Sequence, residues 1–179
     1  EIVISNVKKN NITIKNKKYD SWYALSSSSE YAFKLGGKKY KKYYLNNISL
    51  PIKKKNTTEN FEVLMFQIYE YDKDNNYIGK PISEAITIKS EEIKEIINLE
   101  FNKPIYIKSS YFYLVISNSI DKKNSKISHK SINPYFAIKK GNSKKTFLLR
   151  NYINGIWYDS MEYNYPYSPI LKCKIEIEI

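Results

Sequence analysis

Three groups of residues in this 179-residue chain have the types and spacing for chemistry. The first is the run from Trp157 to Tyr167 (WYDSMEYNYPY), where rings are interleaved with polar side chains. Tyr158, Tyr163, Tyr165 and Tyr167 offer flat amphipathic faces, while Asp159, Glu162 and Asn164 offer oxygens and an amide. That combination suits stacking on sugar rings and hydrogen bonding to their hydroxyls, or contact with a protein partner. The same tyrosines would equally cap the end of a folded core, and Trp157 and Trp22 are expected inside that core. The second group is Asp72, Asp74 and Asn76, hard oxygen donors at alternate positions, which is the chemistry of calcium. An EF-hand loop requires glycine at its sixth position, where this chain has Tyr77, so that motif is excluded. The stronger expectation there is a hairpin turn, which favours Asp and Asn for backbone reasons. The third group is basic: Lys38, Lys39, Lys41, Lys42 and Lys53 to Lys55, with Tyr40, Tyr43 and Tyr44 among them. Such a patch would bind a heparin-like anion with a steep loss of affinity in salt.

Nucleophilic and metal catalysis find little support. His129 is the sole histidine and stands in a Lys/Ser stretch, where an imidazole is solvated. Cys173 is the sole cysteine, which precludes an intrachain disulfide. Its place in the alternating run toward Ile179 puts it with the apolar set, as a buried inert thiol. One His and one Cys do not make a zinc site, and nothing brings them together as a dyad. The expectation is a chain without enzymatic activity.

Charge points less firmly than it first suggests. There are 30 Lys plus Arg against 18 Asp plus Glu, a net charge of +12, but Arg150 is the only arginine. Arginine is the residue of choice for bidentate phosphate and base recognition. Lys, Asn, Ile and Tyr all have AT-rich codons, so a base-composition bias accounts for the excess of lysine, and no nucleic-acid partner is expected. No stretch of 18 or more apolar residues exists, so no transmembrane segment is expected. The opening Glu1-Ile2-Val3-Ile4 is strand-like, without a signal peptide or initiator Met, and reads as a domain excised from a longer protein or a processed product.

The elements that must position these groups are strands. The chain is 42% hydrophobic and 15% aromatic, too apolar for disorder and long enough for one domain over residues 1–179 with a sizeable core. Phe61 to Tyr71 (FEVLMFQIYEY) and Ser110 to Ser117 (SYFYLVIS) are dense in aromatic and β-branched residues and read as central strands. Ile78 to Ile88 is expected to pair back on the first as a hairpin. Lys38 to Ile52 gives one long strand or two short ones. Glu91 to Leu99 reads as a short helix or a strand. Asn154-Gly155 is the strongest hairpin signal, Asp159 to Pro169 reads as an aromatic loop, and Ile170 to Ile179 alternates strictly. Ten to twelve short, evenly spaced strands predict an all-β fold, an antiparallel β-sandwich of jelly-roll type.

The order of these elements resembles a known family. A strand ending in YEYD, a polar turn, Gly79-Lys80-Pro81, the strand Ser110 to Ser117, Pro134 to Ile138, and a late hairpin through Asn154-Gly155-Ile156-Trp157-Tyr158-Asp159 follow one another, and Leu171 to Ile175 closes the chain. Over roughly Phe61 to Ile177 this is similar to the lectin-like jelly-roll domain found beside cell-surface papain-type cysteine proteases and in related secreted bacterial proteins. The resemblance implies a non-catalytic, extracellular or cell-surface accessory domain. Its partner would be a cell-wall or host glycan, or an adjacent domain that it positions, and some members carry a structural calcium. The alternative is a protein-interaction or adhesion module using the same aromatic residues.

Overall fold

The β-branched and aromatic segments become strands in the computed structural model, which describes residues 9–15, 21–26, 29–37, 42–54, 63–118, 131–140, 147–151, 155–159, 167–169 and 172–178. In chain order the strands are β1 (Lys9–Lys15), β2 (Ser21–Ser26), β3 (Ser29–Gly36), β4 (Tyr43–Lys53), β5 (Val63–Asp72), β6 (Tyr77–Pro81) and β7 (Ile86–Lys89). They continue with β8 (Ile96–Ile107), β9 (Tyr111–Asn118), β10 (Ser131–Lys140), β11 (Phe147–Asn151), β12 (Trp157–Asp159), β13 (Tyr167–Pro169) and β14 (Lys172–Glu178). All pairings are antiparallel, in two seven-stranded sheets. The first runs β1-β14-β4-β10-β13, with β8 also on β4 and β2 also on β10. The second runs β12-β11-β3-β9-β5-β6, with β7 also on β5.

The sheets face each other across one apolar layer, as an all-β sandwich requires. Leu45, Ile48, Leu50, Ile97, Leu99 and Phe136 come from the first sheet, and Phe33, Phe66, Ile68, Phe112, Leu114 and Phe147 from the second, all buried. Phe147 stacks on Phe33 with ring centroids 4.7 Å apart, and Tyr23 meets it edge-on at 5.6 Å from the opposite sheet. At the corner where the chain passes between sheets, the Ser26 amide donates to the Tyr31 hydroxyl and the Asn118 amide donates to the Ser26 carbonyl at 3.1 Å. Backbone groups that leave a ladder thus keep partners.

Local irregularities explain where the sequence pattern is imperfect. β4 points Tyr43 and Leu45 inward, then Ile48, Leu50 and Ile52. The switch of parity sits at Asn46, where the pairings with β8 and β14 both shift register. One extra residue makes a bulge and turns a loose alternation into one continuous strand. The expected hairpin on β5 forms, but its return strand is broken into β6 and β7. In the gap Ser83 Oγ accepts the Ile68 amide at 2.9 Å and the Gln67 side chain donates to the Ser83 carbonyl at 2.9 Å.

Some expectations are corrected. Glu91 to Leu99 is neither a helix nor wholly a strand: a single 3₁₀ turn (Ser90–Glu92) leads into β8 from Ile96. Tyr167 lies in a strand, β13, rather than in a loop. Neither tryptophan enters the layer between the sheets: Trp22 alternates with Tyr23 and Leu25, which do, and Trp157 packs on the far side of the second sheet. Among the described residues no helix is long and apolar enough to cross a membrane.

Candidate binding face

The second sheet has a buried outer face. A sheet in a sandwich normally shows water a polar face, so its strands alternate. β9 does not: every residue from Phe112 to Asn118 is buried. Phe112, Leu114 and Ile116 face the sandwich layer, while Tyr113 and Val115 join Ala32 and Leu148 in a separate outer cluster, each 3% exposed or less. Half-buried Tyr69, Tyr71, Tyr77, Ile78 and Trp157 lie over this floor.

Cross-strand register builds the polar rim. Glu30, Arg150 and Trp157 stand opposite one another on β3, β11 and β12, and side chains so placed share a face. The Arg150 guanidinium donates to the Glu30 carboxylate, with side chains 27% and 14% exposed, and lies 4.6 Å from the centre of the Trp157 ring. Burial alone would lower the Arg150 pKa, but the hydrogen bond and charge of Glu30, with Tyr69 adding to both, raise it. At the other end Lys34 Nζ sits 4.0 Å over Tyr71 and 4.5 Å over Tyr111, and Tyr71 meets Tyr111 edge-on at 5.5 Å. Both cations therefore rest on ring faces, where the quadrupole attracts them.

Two edges of the sheet meet over this floor. β6 and β12 are the ends of a six-strand path, roughly 24 Å apart if the sheet were flat (five gaps of about 4.8 Å). Yet the Tyr77 hydroxyl donates to the Trp157 carbonyl. The sheet must twist and curl strongly to allow it. Burial first, then Tyr71, Tyr77 and Asp159, push the Tyr113 phenol well above its ordinary value, so it stays a neutral hydroxyl. The face thus combines amphipathic rings, two cations, carboxylates and phenols, a set that can stack on and hydrogen-bond to a polyhydroxylated ligand.

The expected site residues are only partly brought together. Asp159 opposes Leu148 and so belongs to the outer face, whereas Tyr158 opposes Leu149, which packs on the sandwich core. Adjacent strand residues point oppositely, so these two do not line one site. Glu162, Tyr163, Asn164 and Tyr165 lie outside the described residues, and for Tyr167 the backbone alone is described, paired with Lys140. Asp72, Asp74 and Asn76 form the expected turn. Asp72 Oδ1 accepts the amides of Asp74 and Asn75 at 2.9 and 3.3 Å, and Asp72 Oδ2 accepts the Asn75 side chain at 2.6 Å. Asn76 adopts a φ of 50°, and its Oδ1 accepts from the Tyr71 hydroxyl and from Lys34 at 3.5 Å. Asp72 is thus engaged within the turn and Asn76 with Tyr71 and Lys34, and among the described residues no group of three or more His, Cys, Asp or Glu could hold a metal. His129 falls outside the described residues, and Cys173 is described by backbone only. Of the basic group, Lys42, Lys53 and Lys54 are exposed, Tyr43 is buried, and Tyr44 pairs with Tyr106 at 5.1 Å on the first sheet; Lys38, Lys39, Tyr40, Lys41 and Lys55 lie outside the described residues.

Glu30, Lys34, Tyr69, Tyr71, Tyr77, Tyr113 and Arg150 were not among the expected site residues. One signal for them was present: apolar and aromatic residues at both parities of Tyr111 to Ile116 mark a strand covered on both faces. Comparison with known proteins found no matching family model and no matching curated protein.

Proposed function

We propose that this chain is a non-catalytic binding module that takes a glycan on the outer face of its second sheet. One observation carries the reading: a curled sheet face whose aromatic cluster is rimmed by Arg150–Glu30, Lys34 and Asp159. Sugar-binding sites need flat apolar surface for the faces of the ring and a few oriented donors and acceptors for its hydroxyls. Trp157, Tyr71 and Tyr77 supply the surface, and the Asp159 carboxylate and the Arg150–Glu30 pair supply the polar groups. An extracellular or cell-surface location and a jelly-roll connection of the strands accompany the proposal, by resemblance to lectin-like accessory domains.

The test is a glycan array, run with calcium and with a chelator, at physiological and high salt. Binding to a defined sugar that survives high salt is expected, with Trp157→Ala and Asp159→Ala each lowering affinity at least fivefold. A signal that neither variant changes would place the site elsewhere. A second reading, a protein-interaction or adhesion module, draws on Ile156, which is 57% exposed beside Trp157. A blank array together with a partner captured through Ile156 and not displaced by millimolar monosaccharide would favour it.

A further inference from the structure

We infer, on the reading that the outer face takes a glycan, that Arg150 sets its specificity: the guanidinium reads adjacent hydroxyls of an uncharged sugar, and the carboxylates beside it turn acidic sugars away. The chain has 30 Lys plus Arg, and Arg150 is the sole arginine. A composition that favours lysine everywhere else keeps arginine where an ammonium cannot substitute, and what separates the two is a planar fork of N–H donors. In the row Glu30–Arg150–Trp157 the Glu30 carboxylate accepts from Nε, and the Trp157 ring centre lies 4.6 Å from the guanidinium. Tyr69, from β5 across the floor, adds a hydrogen bond. These contacts fix the plane of the fork and occupy part of it, since Nε goes to Glu30 while the Nη groups carry most of the donors. With the side chain 27% exposed, part of the fork faces solvent. Donors held in one plane match two oxygens set side by side, which a carboxylate, a sulfate or a pair of adjacent hydroxyls supplies.

Charge decides among these. The charges of Arg150 and Glu30 cancel. Asp159 opposes Leu148 on the same face, two residues beyond Trp157, so this end of the site is negative. Lys34 is four residues from Glu30 along β3, roughly 13 Å at about 3.3 Å per residue, which exceeds the screening length of about 8 Å at physiological salt. A carboxylate or sulfate on the ligand would therefore bring a third anionic group against one guanidinium. A hydroxyl carries no charge and both accepts and donates. Adjacent hydroxyls can accept from the Nη groups and turn their own hydrogens to the carboxylates, while the ring of the same sugar stacks on the aromatic residues.

Equilibrium binding of neutral gluco-, manno- and galacto-oligosaccharides, of oligouronides of matching linkage, and of the methyl esters of those uronides tests this on the intact chain. A neutral sugar should bind, its uronide should bind roughly tenfold more weakly, and the methyl ester should recover most of the loss. Arg150→Lys keeps the charge and loses the fork, and should cost the neutral sugar roughly tenfold in affinity. Glu30→Gln removes one anion and should narrow the gap between neutral sugar and uronide severalfold, which loosened packing would not do. That second variant carries the test if a thermal melt shows Arg150→Lys to be unfolded. Uronides that bind as well as the neutral sugars, a folded Arg150→Lys with unchanged affinity, or a gap that Glu30→Gln leaves unaltered would each overturn the assignment while the glycan reading stands. Binding by no member of the panel overturns that reading and the assignment with it.

Discussion

Replacing Arg150 tests whether the outer face is a built site or incidental packing. The pair with Glu30 is neither exposed nor deeply buried, at 27% and 14% side-chain exposure. Exposed ion pairs are worth about 0.2–1 kcal/mol, and breaking a buried one costs about 3–5 kcal/mol because a charge is stranded. This intermediate setting places the Arg150–Glu30 coupling at about 1–1.5 kcal/mol. Arg150→Met also loses the cation–π contact with Trp157, about 0.5–1 kcal/mol, so it should destabilise by about 2 kcal/mol, whereas Glu30→Gln keeps that contact and costs less. For a chain of this size about 2 kcal/mol lowers Tm by roughly 4–8 °C. A double-mutant cycle by urea unfolding at pH 7 measures the coupling, and repetition in 1 M salt, where the screening length falls to about 3 Å, should reduce only part of it. A coupling under about 0.5 kcal/mol, inside the usual additivity error, would show that the guanidinium is solvated and refute the reading of the rim.

Three further outcomes follow from the fold. Gly36→Ala should destabilise by about 3 kcal/mol or more, because Gly36 has a φ of 103° and its Cβ would sit 2.3 Å from the Ser110 carbonyl oxygen; a thermal melt within 2 °C of the parent, as the per-kcal scaling allows for under about 1 kcal/mol, would contradict this. Ser83→Ala removes the acceptor of the Ile68 amide and should cost about 1–2 kcal/mol in urea unfolding, with Ser83→Thr close to neutral because it keeps the hydroxyl; equal losses in both would assign the effect to shape. The Asp72 carboxyl should titrate below its ordinary 3.8, held down first by the Asn75 side chain and then by backbone amides. A depressed folded pKa means its support of the turn is complete above the unfolded value and is lost as pH falls through the folded one, so amide exchange at Asp74 and Asn75 should rise only at the acid end; an NMR midpoint at or above 3.8 would sink it.

The fold was legible because burial on two faces leaves a strong pattern. The aromatic and β-branched runs Phe61 to Tyr71 and Ser110 to Ser117 became β5 and β9, with ends shifted by a residue or two. What the pattern hid were the interruptions. The extra residue at Asn46 scrambled the alternation of β4, and Ser83 split a hairpin partner by replacing a ladder bond with a side-chain bond. β8 runs on to Ile107 through exposed Asn102-Lys103-Pro104, where its pairing with β4 skips from Glu100 to Ile105, an irregularity that tolerates proline.

The outer face was hard to read for a different reason. Its members are scattered from Glu30 to Asp159, and each has an ordinary explanation in its own strand: Lys34 looks like a solvated strand lysine, Tyr69 and Tyr71 look like a strand end, and Arg150 looks like one more positive charge. Register is what assembles them, since Glu30, Arg150 and Trp157 share a row only once β3, β11 and β12 are aligned. A local run such as Trp157-Tyr158-Asp159 catches the eye in sequence, but neighbours on a strand alternate faces, as Tyr158 and Asp159 do. In a β-sandwich a site is therefore a set of every-second residues from several strands, and the clue to it is a strand with no polar face. β9 is that strand: both of its parities are apolar, which means that something covers its outer side, and the covering residues are the ones that can meet a ligand.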